Sequence, residues 1–143
     1  MHKNTLVAFL LVATSVAILS LFAQEIVAKK PIYLHQHNKS AHSNQEHLQQ
    51  LTITGDVILD FYADWCNPCK RMSPLIDSVA ALLPQYTFIK INRDLFMDLA
   101  KTFNITSIPT LIFLRNGKEI GRYDGGPLTE AKLEQLVLKT YRN

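Results

Sequence analysis

The chain has 143 residues, enough for one domain of ordinary size and too few to expect two. A hydrophobic fraction of 48% with 19% charged residues excludes a disordered, collagen-like or low-complexity chain. The formal charge of +3 is local: residues 31 to 143 carry 12 basic and 11 acidic side chains, so no basic stripe tracks a phosphate backbone and no nucleic-acid partner is expected.

The first feature in chain order is Thr5 to Ala23, with 15 apolar residues of 19 and no charge, behind a short polar head that contains Lys3. As a helix it is long enough to reach across most of a bilayer core, so residues 1–28 are expected to be a signal peptide or a membrane anchor. The competing reading is a buried core helix. Lys29, Lys30 and Lys39 outnumber the positive charges ahead of the block, which taken literally favours a cytoplasmic domain. A basic head followed at once by an apolar run is nevertheless the arrangement of an export signal, and the expected location is periplasmic or extracytoplasmic, free or anchored to the membrane. Residues 29–47 are polar and hold His35, His37, His42 and His47. Their spacing matches no compact metal site, so a solvated tether is expected and no metal is assigned.

A strand is expected at Pro31 to Gln36, and the Ser43-Asn44-Gln45-Glu46 capping box predicts a short helix to about Leu51. Asp56 to Ala63 is a nearly continuous apolar run, read as a strand buried on both faces and interrupted by Asp60. Met72, Leu75, Ile76, Val79 and Leu83 recur at helical spacing from Pro68 to Pro84, with Pro74 inside the pattern as an expected kink. Tyr86 to Ile91 reads as a strand interrupted by Lys90, and Leu95, Leu99 and Phe103 mark a helix face. Thr110 to Leu114 and Lys118 to Tyr123 flank Asn116-Gly117, the signature of a tight hairpin. Thr129 is placed to cap a last helix carrying Leu133, Leu136, Val137 and Tyr141. Strand–helix alternation ending in a hairpin predicts an α/β fold, with a central mixed sheet and helices on both faces.

The only cysteines, Cys66 and Cys69, are spaced C-x-x-C where a buried strand gives way to a helix. Unpaired N–H groups and the positive end of the helix dipole favour thiolate there, which makes Cys66 the expected nucleophile. Residues three apart on a first turn are close enough for a disulfide, so Cys69 is placed to resolve a mixed disulfide formed at Cys66. Pro68 suits a first turn, where its missing N–H is not needed. A purely structural disulfide, a zinc site and inert buried cysteines are the alternatives. The first closes too small a loop to constrain the unfolded chain much, and the second lacks two ligands.

Asp60-Phe61-Tyr62-Ala63-Asp64-Trp65-Cys66-Asn67-Pro68-Cys69-Lys70 resembles the active-site motif of the thioredoxin family. The similarity continues through Pro74, Lys90, Ser107-Ile108-Pro109-Thr110, Asn116-Gly117 and Gly125, covering about residues 31–143. The resemblance implies a thioredoxin-like fold and a protein-disulfide reductase working by dithiol–disulfide exchange. It makes Asp60 a buried acid that shuttles a proton for Cys69, Lys90 its charged neighbour and Pro109 a cis-proline beside the disulfide, preceded by Ile108. Trp65, Asn67, Pro68 and Gly125 then complete the substrate-binding rim. The plain structural readings are a hydrogen-bond acceptor for Asp60, a snorkelling side chain for Lys90 and a trans strand-start proline for Pro109.

Asn67 stands where the family commonly has glycine. It adds no positive charge to stabilise the thiolate, which tilts the expectation towards a reductant. The resemblance implies no cofactor beyond the redox-active Cys66–Cys69 pair, disulfide-bearing protein substrates, an upstream redox protein as electron donor and a monomer, with membrane contact through residues 5–23 if these are retained. A thiol oxidant or isomerase of the same fold, or a non-catalytic peptide-binding holdase, are the alternatives.

Overall fold

In a computed structural model, residues 30–33 and 54–142 are described. The apolar block at residues 5–23, the four tether histidines His35, His37, His42 and His47, and the helix expected from Ser43 to Leu51 lie outside them.

Five strands form one sheet in the order β1-β3-β2-β4-β5, from β1 (Ile32–Tyr33), β2 (Asp56–Tyr62), β3 (Thr87–Asn92), β4 (Thr110–Arg115) and β5 (Lys118–Asp124). The helices are α1 (Asn67–Leu82), α2 (Met97–Thr102) and α3 (Glu130–Arg142). β1 and β2 pair parallel to β3, while β4 runs antiparallel to both β2 and β5, which is the expected mixed sheet. Side chains alternate across a strand, so β2 splits its apolar run between two cores. Ile58 joins Phe88, Leu111 and Phe113 against Met72, Ile76 and Val79 of α1 and Leu133, Val137 and Tyr141 of α3. On the opposite face Val57, Leu59 and Phe61 join Ile89, Ile91, Ile112 and Leu114 against Phe96, Leu99, Ala100 and Ile105 around α2.

Several boundaries differ from the expected ones. Ala63 falls outside β2, because its carbonyl turns to accept the Cys66 N–H at 3.1 Å. β3 begins one residue later than expected and ends at Asn92. The helix read from Leu95, Leu99 and Phe103 is only one and a half turns long: Leu95 is 47% exposed ahead of it, and Phe96 at the cap position fills the core instead. α1 runs unbroken through Pro74. Asn116 and Gly117 both have positive φ, 50° and 78°, as a tight hairpin turn requires. Asn116 also bonds through its backbone N–H and side-chain oxygen to Gly55, tying the hairpin to the start of β2. At α3 the Thr129 hydroxyl accepts the Lys132 N–H at 3.4 Å, and the helix buries Leu133, Val137 and Tyr141 as its pattern predicted.

Candidate active site

β2 delivers the chain to the C-terminal edge of the sheet, where the turn after Tyr62 leads directly into α1. Cys66 is the N-cap of that helix, with extended backbone (φ −80°, ψ 100°), one position earlier than a first-turn placement; its sulfur accepts the Cys69 N–H at 3.2 Å. Capping matters here because the first N–H groups of a helix have no partner within it, and a sulfur carrying negative charge satisfies one of them while facing the positive end of the dipole. Pro68 lies in the first turn and costs no hydrogen bond. Cys66 and Cys69 are joined in a disulfide with Cα atoms 5.3 Å apart, and both are nearly buried.

The remaining expected residues surround this pair unevenly. The Ile108–Pro109 peptide is cis, and the Ile108 carbonyl oxygen lies 3.9 Å from the Cys66 sulfur. Ile108 packs with Ala63 and Tyr62 around the two cysteines. Trp65 is 66% exposed on the rim, and Asn67 is exposed beside it. At Gly125 an added Cβ would come within 2.7 Å of the Tyr123 ring, whose hydroxyl donates to the Gly126 carbonyl at 3.0 Å, so only glycine fits without displacing that ring.

Beneath Cys69, Asp60 and Lys90 are register partners on β2 and β3 and share the α1 face of the sheet. Both are buried, at 4% and 1% exposure. Burial dominates at Asp60 and pushes its carboxyl up to about 7, against the opposing pull of the Lys90 charge. For Lys90, burial acts to lower the ammonium's pKa, but bonds to Asp77 and Tyr33 outweigh it and hold the group above its ordinary value. A cavity of about 110 Å³ brings Asp60, Lys90 and Cys69 together with Tyr33, Tyr62 and Ser73.

Comparison with known proteins gives a thioredoxin family model matching residues 37–139. The chain belongs to the thioredoxin family. It is 39% identical over 82 residues to thioredoxin of Chlamydia trachomatis, covering 57% of this chain and 80% of that one. Thioredoxin-1 of Saccharomyces cerevisiae is 39% identical over 81 residues, covering 57% and 77%. The solved structure of oxidised thioredoxin from Plasmodium falciparum superposes with a TM-score of 0.62 at 28% identity, over 76% of this chain and 96% of the other. Thioredoxin from Nicotiana alata gives 0.63 at 31%, over 80% and 97%. The fold is therefore thioredoxin-like, and the chain is a protein-disulfide reductase exchanging dithiol for disulfide at Cys66 and Cys69. Family membership brings disulfide-bearing proteins as substrates and a redox partner that restores the dithiol.

Several contacts at the site have no counterpart in the sequence expectations. The Trp65 indole N–H donates to Asp94 Oδ2 at 2.7 Å. Asn92 anchors Asp94 by accepting its backbone N–H, and donates to Asp64 at 3.2 Å, so the loop after β3 braces the Trp65 turn. The clue was an Asn and an Asp two residues apart just past a strand, the composition of a side-chain-closed turn. The buried Thr110 hydroxyl lies 2.8 Å from both Ser107 O and Asp124 Oδ1, linking the Pro109 loop to the strand that leads to Gly125.

Proposed function

We propose that the protein works as a reductant on the extracytoplasmic side of a membrane, with residues 1–28 serving as export signal or anchor and the folded domain acting as a monomer. Its reduced form attacks through the Cys66 thiolate, which joins a substrate disulfide and expels one substrate thiolate that takes up a proton. Asp60, as carboxylate, accepts the proton of the Cys69 thiol. The Cys69 thiolate then attacks Cys66, forming the intramolecular disulfide and releasing the second substrate thiolate. Two electrons pass from the dithiol to the substrate, and an upstream redox protein returns them; no other cofactor takes part. Lys90 moderates Asp60, while Trp65, Asn67, Pro68, Ile108, Pro109 and Gly125 line the ground on which an extended substrate lies.

The observation that carries this reading is the placement of Cys66 as N-cap of α1, accepting the Cys69 N–H, with Asp60 buried beneath the second cysteine. A nucleophilic thiolate and a nearby group that titrates close to neutral pH are what the two halves of the exchange require. Insulin reduction tests it. Cys66→Ser is expected to abolish turnover, and Cys69→Ser to accumulate mixed disulfides visible on non-reducing gels. Full activity in Cys66→Ser would end the proposal. A reduction potential below that of the glutathione couple supports a reductant, and one well above it means the protein is an oxidant. A C-terminal topology reporter giving a cytoplasmic signal would overturn the location.

A further inference from the structure

Lys90 is the base in the buried pair, yet its ammonium is spent elsewhere. Its Nζ lies 2.5 Å from Asp77 Oδ1, 2.7 Å from Ser73 Oγ, 3.0 Å from Tyr33 OH and 3.1 Å from the Ser73 carbonyl oxygen. An ammonium has three N–H groups, and four acceptors already compete for them. None is left for Asp60, although register places the two side chains next to each other on one face of the sheet. Among the described residues the ion pair of Lys90 is with Asp77. Ser73 and Asp77 stand one turn apart on α1, whereas Tyr33 arrives on β1, whose pairing with β3 sets Tyr33 directly beside Lys90. The Tyr33 ring also approaches the ammonium, 4.9 Å from centroid to Nζ.

We propose that Tyr33, Ser73 and Asp77 are positioning residues that hold the Lys90 ammonium off the Asp60 carboxyl and thereby set the proton exchange of the acid serving Cys69. This rests on the reading of Asp60 as the proton carrier. A buried carboxylate is costly unless a cation is bonded to it directly; an ammonium bonded to other acceptors compensates it only through space. Burial is the largest influence on Asp60 and raises its pKa, Lys90 opposes it, and Asp77 adds to it. Releasing Lys90 would let the ammonium turn to Asp60 and stabilise its ionised form. The other ionisable groups around the same cavity are Lys70 on α1, Tyr33 on β1, and Tyr62 and Asp64 at the end of β2.

The test is a ¹³C-carboxyl NMR titration of Asp60 in the reduced full-length chain in mild detergent. Asp77 is 46% exposed, so Asp77→Asn is a mild change to the fold, and Tyr33→Phe removes a single oxygen. Asp77→Asn is expected to lower the Asp60 midpoint by about one pH unit, a tenfold change in proton affinity. Tyr33→Phe should lower it by less, and Lys90→Met should raise it. In the Lys90→Met background, Asp77→Asn should lose most of its effect, since only the direct influence of the Asp77 charge, the smallest of the three on Asp60, remains. An unchanged or raised midpoint in folded Asp77→Asn and Tyr33→Phe, or a shift of equal size with Lys90 absent, would overturn the proposal. If the midpoint moves as expected but the pH dependence of mixed-disulfide resolution does not follow, the positioning stands and the assignment of Asp60 as proton carrier falls.

Discussion

On the α2 side of the sheet, β2 and β3 present Val57, Leu59, Phe61, Ile89 and Ile91 to Phe96, Leu99 and Ile105. On the α1 side the same two strands present Ile58, Asp60, Phe88 and Lys90, placing an acid and a base at matched register within an otherwise apolar layer. Both layers are equally closed to solvent, so exposure does not explain the difference. Apolar burial lowers the free energy of the native state, while a buried carboxyl raises it unless bonded or neutralised. The chain accepts that cost on one face only, at the edge where Cys69 lies. Both sides of β2 carry an apolar core, and the proton chemistry is confined to one of them.

Substitutions on the two faces should separate these roles. Phe61→Ala on the apolar face is expected to destabilise by about 3–5 kcal/mol, through lost transfer energy and a residual cavity. Denaturant unfolding measures that loss, and the pH profile of insulin reduction should keep its midpoint. A profile that moved would mean the faces are coupled.

Asp60→Asn should do the reverse. With a carboxyl at about 7 in the native state against 3.8 in an unfolded chain, the native state binds more protons across that window. Stability therefore falls as pH rises from near 4 to 7, by as much as about 4 kcal/mol, and is then level. The asparagine variant lacks this loss: it should match the parent near pH 4 and exceed it by up to that amount at pH 8, while resolving mixed disulfides more slowly. Equal stability at pH 8 would show that the carboxyl carries no burial cost.

Tyr141 belongs to the α1-side core, and its hydroxyl lies 2.7 Å from Val57 O and 3.2 Å from Leu114 O, pinning α3 to the sheet. Tyr141→Phe is expected to cost about 1–2 kcal/mol in unfolding experiments with the redox pH profile unchanged, which confines the proton chemistry of that face to Asp60 and its neighbours. The smallest effect is expected at Gly117 in the hairpin, where φ is 78°. Gly117→Ala should lower stability by about 1 kcal/mol and leave activity alone, a baseline for changes remote from both faces.

Much of this was legible in the chain because the signals are local. A C-x-x-C pair between a strand pattern and a helix pattern marks itself, and Asp60 and Lys90 each interrupt an apolar run where a charge has no reason to be unless it is used. Asp94, Thr110, Asp124, Ser73, Asp77 and Tyr33 could not be read this way. Each occupies a position where a polar or half-exposed residue is unremarkable in its own element, and becomes part of the site only through a partner on another one. That α2 is shorter than expected has a related cause: Leu95, Leu99 and Phe103 fit the helical period, but the chain buries Phe96 against Ile89 and Ile91 of β3 instead, so Leu95 faces out.

Local patterning and spacing thus determined most of the described strands and helices, the two cysteines and the pair of misplaced charges, because those depend on periodicity and on chemistry within a few residues. Only the tertiary structure decided what each charge does. Asp60 and Lys90 look like a natural ion pair in the strand register, yet packing of α1 and β1 around the ammonium supplies it with other acceptors and leaves the carboxyl to burial. Donor valence follows from residue type and is known from the sequence; which oxygens reach those hydrogens is decided by the fold.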